Sequence, residues 1–200
     1  MGPSPAPLSS VCVFCGSSDA AAPALIDAAR TLGRDLARER LKLIYGGGGV
    51  GLMGACAIAA HEAGGQVLGI IPTFLKEKER RLDVVETITV TSMHERKMLM
   101  FERSDGFVVL PGGIGTLEEV VELLSWRRLD LHFKPVVFYN PDGFWEPLFA
   151  LFRHVVEQKL TPPTFLESWA TVERVEDVIP ALTRPWSQTR QMGPPITPLV

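Results

Sequence analysis

Two carboxylates, Glu118 and Glu119, stand at the front of a helix-like stretch that follows Pro111-Gly112-Gly113-Ile114-Gly115-Thr116. An apolar run, Val108 to Leu110, leads into that glycine loop. The local order is strand, loop, helix, in which backbone N–H groups and the helix dipole hold a phosphate. That chemistry makes Gly112, Gly113, Ile114, Gly115 and Thr116 candidate substrate contacts. Negative charge at the same mouth opposes an anion, so the two carboxylates need another explanation. A structural one exists. Thr116-Leu117-Glu118-Glu119 fits a capping box with Thr116 as N-cap and a helix over 117–129. Acidic residues in a first turn favour the dipole by about 0.3–1 kcal/mol each. Helical spacing then puts Leu117, Val120, Val121 and Leu124 on a buried stripe and stacks Glu119 with Leu123 and Trp126 on another face.

Further segments have the same character. Cys15-Gly16-Ser17-Ser18 follows an apolar strand-like run, which makes Gly16 and Ser17 candidates. Tyr45 to Gly54, YGGGGVGLMG, again follows a strand and opens a helix. Its glycines, with Gly46, Gly47 and Gly48 at their head, remove the side chains that would keep a ligand off the backbone. A tight turn with no ligand is the alternative. No acidic residue stands at a strand end about 20 residues on, so a mononucleotide fits better than a dinucleotide. The basic partner is in Thr91 to Lys97, TSMHERK, where Ser92-x-x-Glu95 is a second capping box and the helix starts at Met93. Met93, Arg96, Lys97, Met100 and Arg103 then lie near one side. They read as a solvated charge face or, beside glycine loops, as a substrate-facing one. His94 has no second His or Cys at ligand spacing, so no metal site is expected.

The elements that must position these residues alternate. Strands are expected at 10–14, 41–45, 66–71, before 91, at 106–110 and 135–139, with helices at 23–40, 52–63, 93–103, 117–129, 144–157 and near 175–182. Short, continuous apolar strands are those of a parallel sheet covered on both faces. The fold class is therefore α/β, a doubly wound, Rossmann-like parallel sheet with helices on both faces, whose ligands bind beyond the carboxyl ends of the strands. Residues 10–184 form one nucleotide-binding domain, with a disordered tail at 1–9 and another tail at 185–200. A hydrophobic content of 46% against 22% charged residues suits a soluble globular chain, and no apolar run reaches the roughly 20 residues of a membrane span. The net charge of −3 gives no pull towards nucleic acid. Cys12 and Cys15 lie in a strand-like run rather than at a helix start. They read as buried thiols of a cytoplasmic protein, not a redox pair.

SMHERK (Ser92 to Lys97), PGGIGTLEE (Pro111 to Glu119), YGGGGVGLMG and CGSS together resemble the Lonely Guy (LOG) family of cytokinin riboside 5'-monophosphate phosphoribohydrolases, long mislabelled lysine decarboxylases. The resemblance runs from about Val11 to Glu157. It implies Arg96 and Glu119 as catalytic, with Lys97, Gly113, Gly115, Thr116 and Glu118 lining the substrate site. It also implies a homodimer. It gives a carboxylate beside the glycine loop a chemical role, because cleaving an N-glycosidic bond builds positive charge at the anomeric carbon, which a carboxylate stabilises while it activates water. The phosphate would rest on amides of Gly113 to Thr116 or of the 46–49 loop. Arg96 would offer a planar fork to phosphate or departing base. No cofactor is required, and lysine decarboxylation is set aside because no lysine stands in a recognisable pyridoxal motif. A general AMP nucleosidase and a non-catalytic carrier of the molybdenum-cofactor type are the alternative readings.

Overall fold

The computed structural model describes residues 8–76 and 80–186. Strands are β1 (Ser10–Phe14), β2 (Lys42–Tyr45), β3 (Val67–Pro72), β4 (Glu86–Val90), β5 (Gly106–Val109), β6 (Val136–Tyr139) and β7 (Ala170–Val172). Helices are α1 (Pro23–Arg38), α2 (Gly51–Glu62), α3 (Met93–Glu102), α4 (Ile114–Arg128), α5 (Glu146–Glu157) and α6 (Val178–Thr183). The strands form one sheet in the order β4-β3-β2-β1-β5-β6-β7. Every pairing is parallel. The chain winds outward from β1 in one direction, then returns to β5 on its other side. The order reverses between β1 and β5, and a crevice is expected at their carboxyl ends.

Alternation along β1 separates two cores. Val11 and Val13 join Leu43 under α1, α2 and α6, through Leu32, Leu36, Leu52, Val178 and Leu182. Cys12 and Phe14 join Ile44 under α3, α4 and α5, through Met100, Val120, Leu124, Phe149 and Phe152. Each fully buried aliphatic side chain contributes about 1.5–3 kcal/mol. Cys12, Cys15 and Cys56 are buried free thiols, as expected for the first two.

Local signals place most starts. Pro23 occupies the first turn of α1, and Ser92 Oγ accepts from the Glu95 N–H, 3.1 Å, at the start of α3. The capping box at Thr116 is not formed. Helix α4 starts three residues earlier, with Gly113 as N-cap, and Thr116 lies inside it and is only 4% exposed. Val121 is 47% exposed, whereas Leu123 is buried beside Val120 and Leu124. The buried positions 120, 123, 124 and 127 recur at helical spacing, so Leu123 and not Val121 faces the core. Strand β7 was unexpected; three residues carry no periodic signal, and it exists by pairing with Val137 to Tyr139. Leu8, Ser9 and Trp186, all expected in tails, contact the domain. Leu8 packs on the first core, Ser9 donates through N–H and Oγ to Asp105 Oδ2 at 2.9 and 2.7 Å, and the Trp186 indole donates to Ala181 O at 3.1 Å. The rest of both tails lies outside the described residues.

Helices α1 and α2 meet through small residues. A Cβ added to Gly33 would lie 2.2 Å from Cys56 O and 3.0 Å from Ala60 N, both rigid backbone atoms. Alanine in an unobstructed helix gains up to about 1 kcal/mol over glycine. Here Gly33→Ala should instead lose about 1–3 kcal/mol by overpacking, read as a lower urea midpoint with unchanged slope.

Candidate active site

The loops after β1 and β5 touch at the point where the strand order reverses. The Gly16 N–H donates to Pro111 O at 3.0 Å, and the Gly16 carbonyl accepts from Met53 N–H at 3.3 Å. No side chain fits between them: a Cβ on Gly16 would lie 3.3 Å from Gly112 Cα, and one on Gly112 would lie 2.1 Å from Thr116 Oγ1 and 2.9 Å from Gly16 N. One residue on, the crowding ends. A Cβ on Gly113 or Gly115 would meet nothing within 4 Å, and Ile114 between them is 83% exposed. The chain's own packing therefore requires glycine at 112 but not at 113 or 115. The first N–H groups of α4 have no intrahelical acceptors and open onto this space. Ser17 is exposed at the edge of the same crevice.

The second glycine loop is different. Gly46, Gly47 and Gly48 are buried, and Gly47 adopts φ of 82°, which favours glycine. Arg96, extending from α3, is 5% exposed. Its Nε donates to Ile70 O at 3.1 Å and its Nη2 to Gly46 O at 2.9 Å, while Nη1 lies 3.9 Å from Met93 Sδ. A solvated charge face is thus excluded for Arg96. The guanidinium joins the carboxyl ends of β2 and β3, and it lies so close to Gly46 that a Cβ there would stand 2.1 Å from Nη2 and displace it. The Gly48 N–H points to Met53 Sδ at 3.3 Å. At the start of α2, the Gly51 N–H donates to Asp19 Oδ1 at 3.0 Å, and Asp19 pairs with Arg80. The place where this loop would hold a phosphate already has a carboxylate of the chain beside it. Asp19 was missed, although an acidic residue directly after Cys15 to Ser18 was its visible signal.

Lys97, one position beyond Arg96, bridges α3 to α4. It pairs with Glu118 and, at 2.8 Å, with Glu122. Burial works against the Lys97 charge, but hydrogen bonds and the charges of both glutamates outweigh it and hold the ammonium above its usual range. Glu122 was also missed; its spacing of four from Glu118 places both on the α3 side. Glu119 borders a small cavity, about 10 Å³, with Phe14, Phe101 and Trp126 among its walls. The expected aromatic surface beside Glu119 is present. Burial pushes the Cys12 and Cys15 thiols well up, Glu119 pushes them further and Arg96 opposes it, so both charges act on the carboxyl half of β1. His94 is exposed, as expected of a surface residue.

The sequence is 44% identical over 178 residues to the probable cytokinin riboside 5'-monophosphate phosphoribohydrolase LOGL9 of Oryza sativa subsp. japonica, covering 85% of this chain and 78% of that protein. The chain belongs to the LOG family. Cytokinin riboside 5'-monophosphate phosphoribohydrolase LOG5 of Arabidopsis thaliana is 43% identical over 173 residues, 86% of this chain and 76% of its own length. The family profile described as "possible lysine decarboxylase" matches residues 53–182. A solved structure, the molybdenum cofactor binding protein from the phototrophic bacterium Rippkaea orientalis, superposes with a TM-score of 0.63 at 26% identity, over 86% of this chain and 93% of that one. The α/β sheet expected from sequence is the architecture observed.

The glycines of this LOG chain separate by cause. Gly112→Ala should lower the thermal midpoint by several degrees, through the clash with Thr116 and Gly16. Gly115→Ala, inside α4 and facing open space, should keep or raise it. Equal losses from both substitutions would contradict the open crevice.

Proposed function

We propose that this chain is a phosphoribohydrolase that cleaves nucleoside 5'-monophosphates, preferring N6-modified adenine of the cytokinin type, into free base and ribose 5-phosphate. The carrying observation is the position of Glu119. Because α4 starts at Ile114, no acidic residue lies in its first turn, and Glu119 falls six residues beyond Gly113. At 1.5 Å per residue that is about 9 Å along the axis. The amide mouth and the carboxylate are separate stations on one helix, and a ribose carrying a 5'-phosphate can bridge them. The conflict between anion cradle and carboxylate disappears.

In this reading the phosphate rests on the N–H groups of Ile114, Gly115 and Thr116 rather than on the 46–49 loop, whose start carries Asp19. The C1'–N9 bond breaks and its electron pair leaves with the base, which takes up a proton. Positive charge grows at C1', where the Glu119 carboxylate stabilises it and draws a proton from the attacking water. The water oxygen becomes the new C1' hydroxyl. Arg96 supplies a fixed positive charge, held with Nε on the Ile70 carbonyl and Nη2 on the Gly46 carbonyl. Gly16, Ser17 and Met93 border the sugar, while Lys97 and Glu118 form the rim.

The names of the LOG relatives support hydrolysis, and their identities exceed that of the Rippkaea protein. A carrier role also gives Glu119 no chemistry to perform. A homodimer, supported by the exposed Val121, Leu129 and Leu131 of α4 and its following turn, and a cytoplasmic location, supported by the free thiols, belong to the same proposal. Light scattering checks the dimer.

Glu119→Gln should lose turnover by at least about 100-fold with little change in stability, because Glu119 stands beyond the first turn of α4. Arg96→Lys should fail nearly as badly as Arg96→Ala, since an ammonium cannot reach both carbonyls with the same fork. The deciding assay is chromatography of bases released from AMP, N6-isopentenyl-AMP and their two nucleosides. Release is expected from the monophosphates alone and fastest from isopentenyl-AMP. Equal rates from both monophosphates point to a general AMP nucleosidase. Cleavage of the nucleosides would overturn the phosphate assignment.

A further inference from the structure

The groove between α3 and α4 contains a carboxylate that the reaction has not yet used. Glu122 follows Glu119 by three positions on α4, so the two are neighbours on the helix surface. Together with Lys97 of α3 they border the cavity of about 10 Å³ beside Glu119. The rest of its wall is aromatic or aliphatic, with Phe14, Phe101 and Trp126 among the contributors. A space of about 10–15 Å³ with two to four polar partners is the least that holds one water molecule. The cavity meets both conditions, and it has no room for more.

We propose that this cavity holds the water that attacks C1', with Glu122 and Lys97 as its partners beside Glu119. The inference rests on the hydrolysis proposed above and adds the place from which its nucleophile comes. An ammonium has three N–H groups, and Lys97 directs them to two acids, Glu118 and Glu122 Oε2, the latter at 2.8 Å. Among the described residues, the third N–H and the second oxygen of Glu122 are not engaged. Lys97 is only 15% exposed, so bulk solvent competes little for it. A water in the cavity donates one hydrogen to the Glu119 carboxylate and the other to Glu122, and accepts from Lys97. One lone pair is left over. It forms the bond to C1' as the C1'–N9 electron pair departs with the base. Glu119 takes one hydrogen as a proton, which balances the proton taken up by the base, and the other hydrogen stays on the new C1' hydroxyl. The apolar walls exclude a second water and any larger nucleophile. The same cavity that orients the water therefore selects it.

Base release from AMP in mixtures of water and methanol tests this. Methanol exceeds water by one methyl group, so wild type should form ribose 5-phosphate and almost no methyl ribofuranoside 5-phosphate. Phe101→Leu widens the cavity and should raise the methyl product at least about tenfold, because one methylene of room in an apolar pocket discriminates by about 10–200-fold. Glu122→Met removes one partner of the water and should lower kcat about tenfold with KM within about twofold. Glu122→Gln keeps an acceptor oxygen and should lose far less. Wild type forming the methyl product in proportion to methanol's share of the solvent overturns the selection of water, and full turnover in Glu122→Met overturns the role of Glu122. A crystal structure of the unliganded wild type should show one water within hydrogen-bond reach of Glu119 and Glu122. Base release without that water overturns this inference alone, whereas no base release from any monophosphate overturns the reaction on which it rests.

Discussion

The contact on which the rest of this structure depends is a backbone hydrogen bond between loops 95 residues apart, from the Gly16 N–H to Pro111 O. It closes the crevice floor between β1 and β5, where the winding reverses. At so close an approach a side chain at 112 has no room, and one at 16 would press on Gly112 Cα. Without a side chain, Gly112 leaves room for Thr116, which is buried inside α4, and Gly113 is the N-cap. That start determines which amides face the crevice and how far along the helix Glu119 stands.

The two glycine loops look alike in composition and are opposite in use. Around Gly46 to Gly51 the chain satisfies its own groups: Arg96 takes the Gly46 carbonyl, Met53 receives the Gly48 N–H and Asp19 receives the Gly51 N–H. A buried guanidinium needs such partners, because an uncompensated charge away from water is costly. Around Gly113 to Gly115 the chain offers no atoms to fill the space. Glycine serves internal close packing in the first loop and external access in the second. The charges follow the same division, with Lys97 held between Glu118 and Glu122 at the rim and Arg96 locked beneath.

Signals that act within a few residues were legible in the sequence. The limits of β1, the proline start of α1, the Ser92 cap of α3 and the buried thiols all rest on local spacing, and they determined the parallel α/β class. The glycine motifs and the Glu118-Glu119 pair likewise marked the residues that the fold gathers at the carboxyl edge. What needed tertiary structure was every feature settled by a distant partner. Thr116 reads as a cap by sequence, but Gly113 takes that place and Thr116 is buried inside α4, while packing on the sheet selects Leu123 and not Val121 as the buried partner of Val120 and Leu124. Arg96 reads as either a solvated or a substrate-facing cation until Ile70 and Gly46 supply the carbonyls that bury it. Strand β7 exists through β6, and Asp19 matters through Gly51 and Arg80. Capping and periodicity are short-range energies of about a kilocalorie per mole. Close packing between elements distant in sequence adds to these energies and decides what local spacing leaves open.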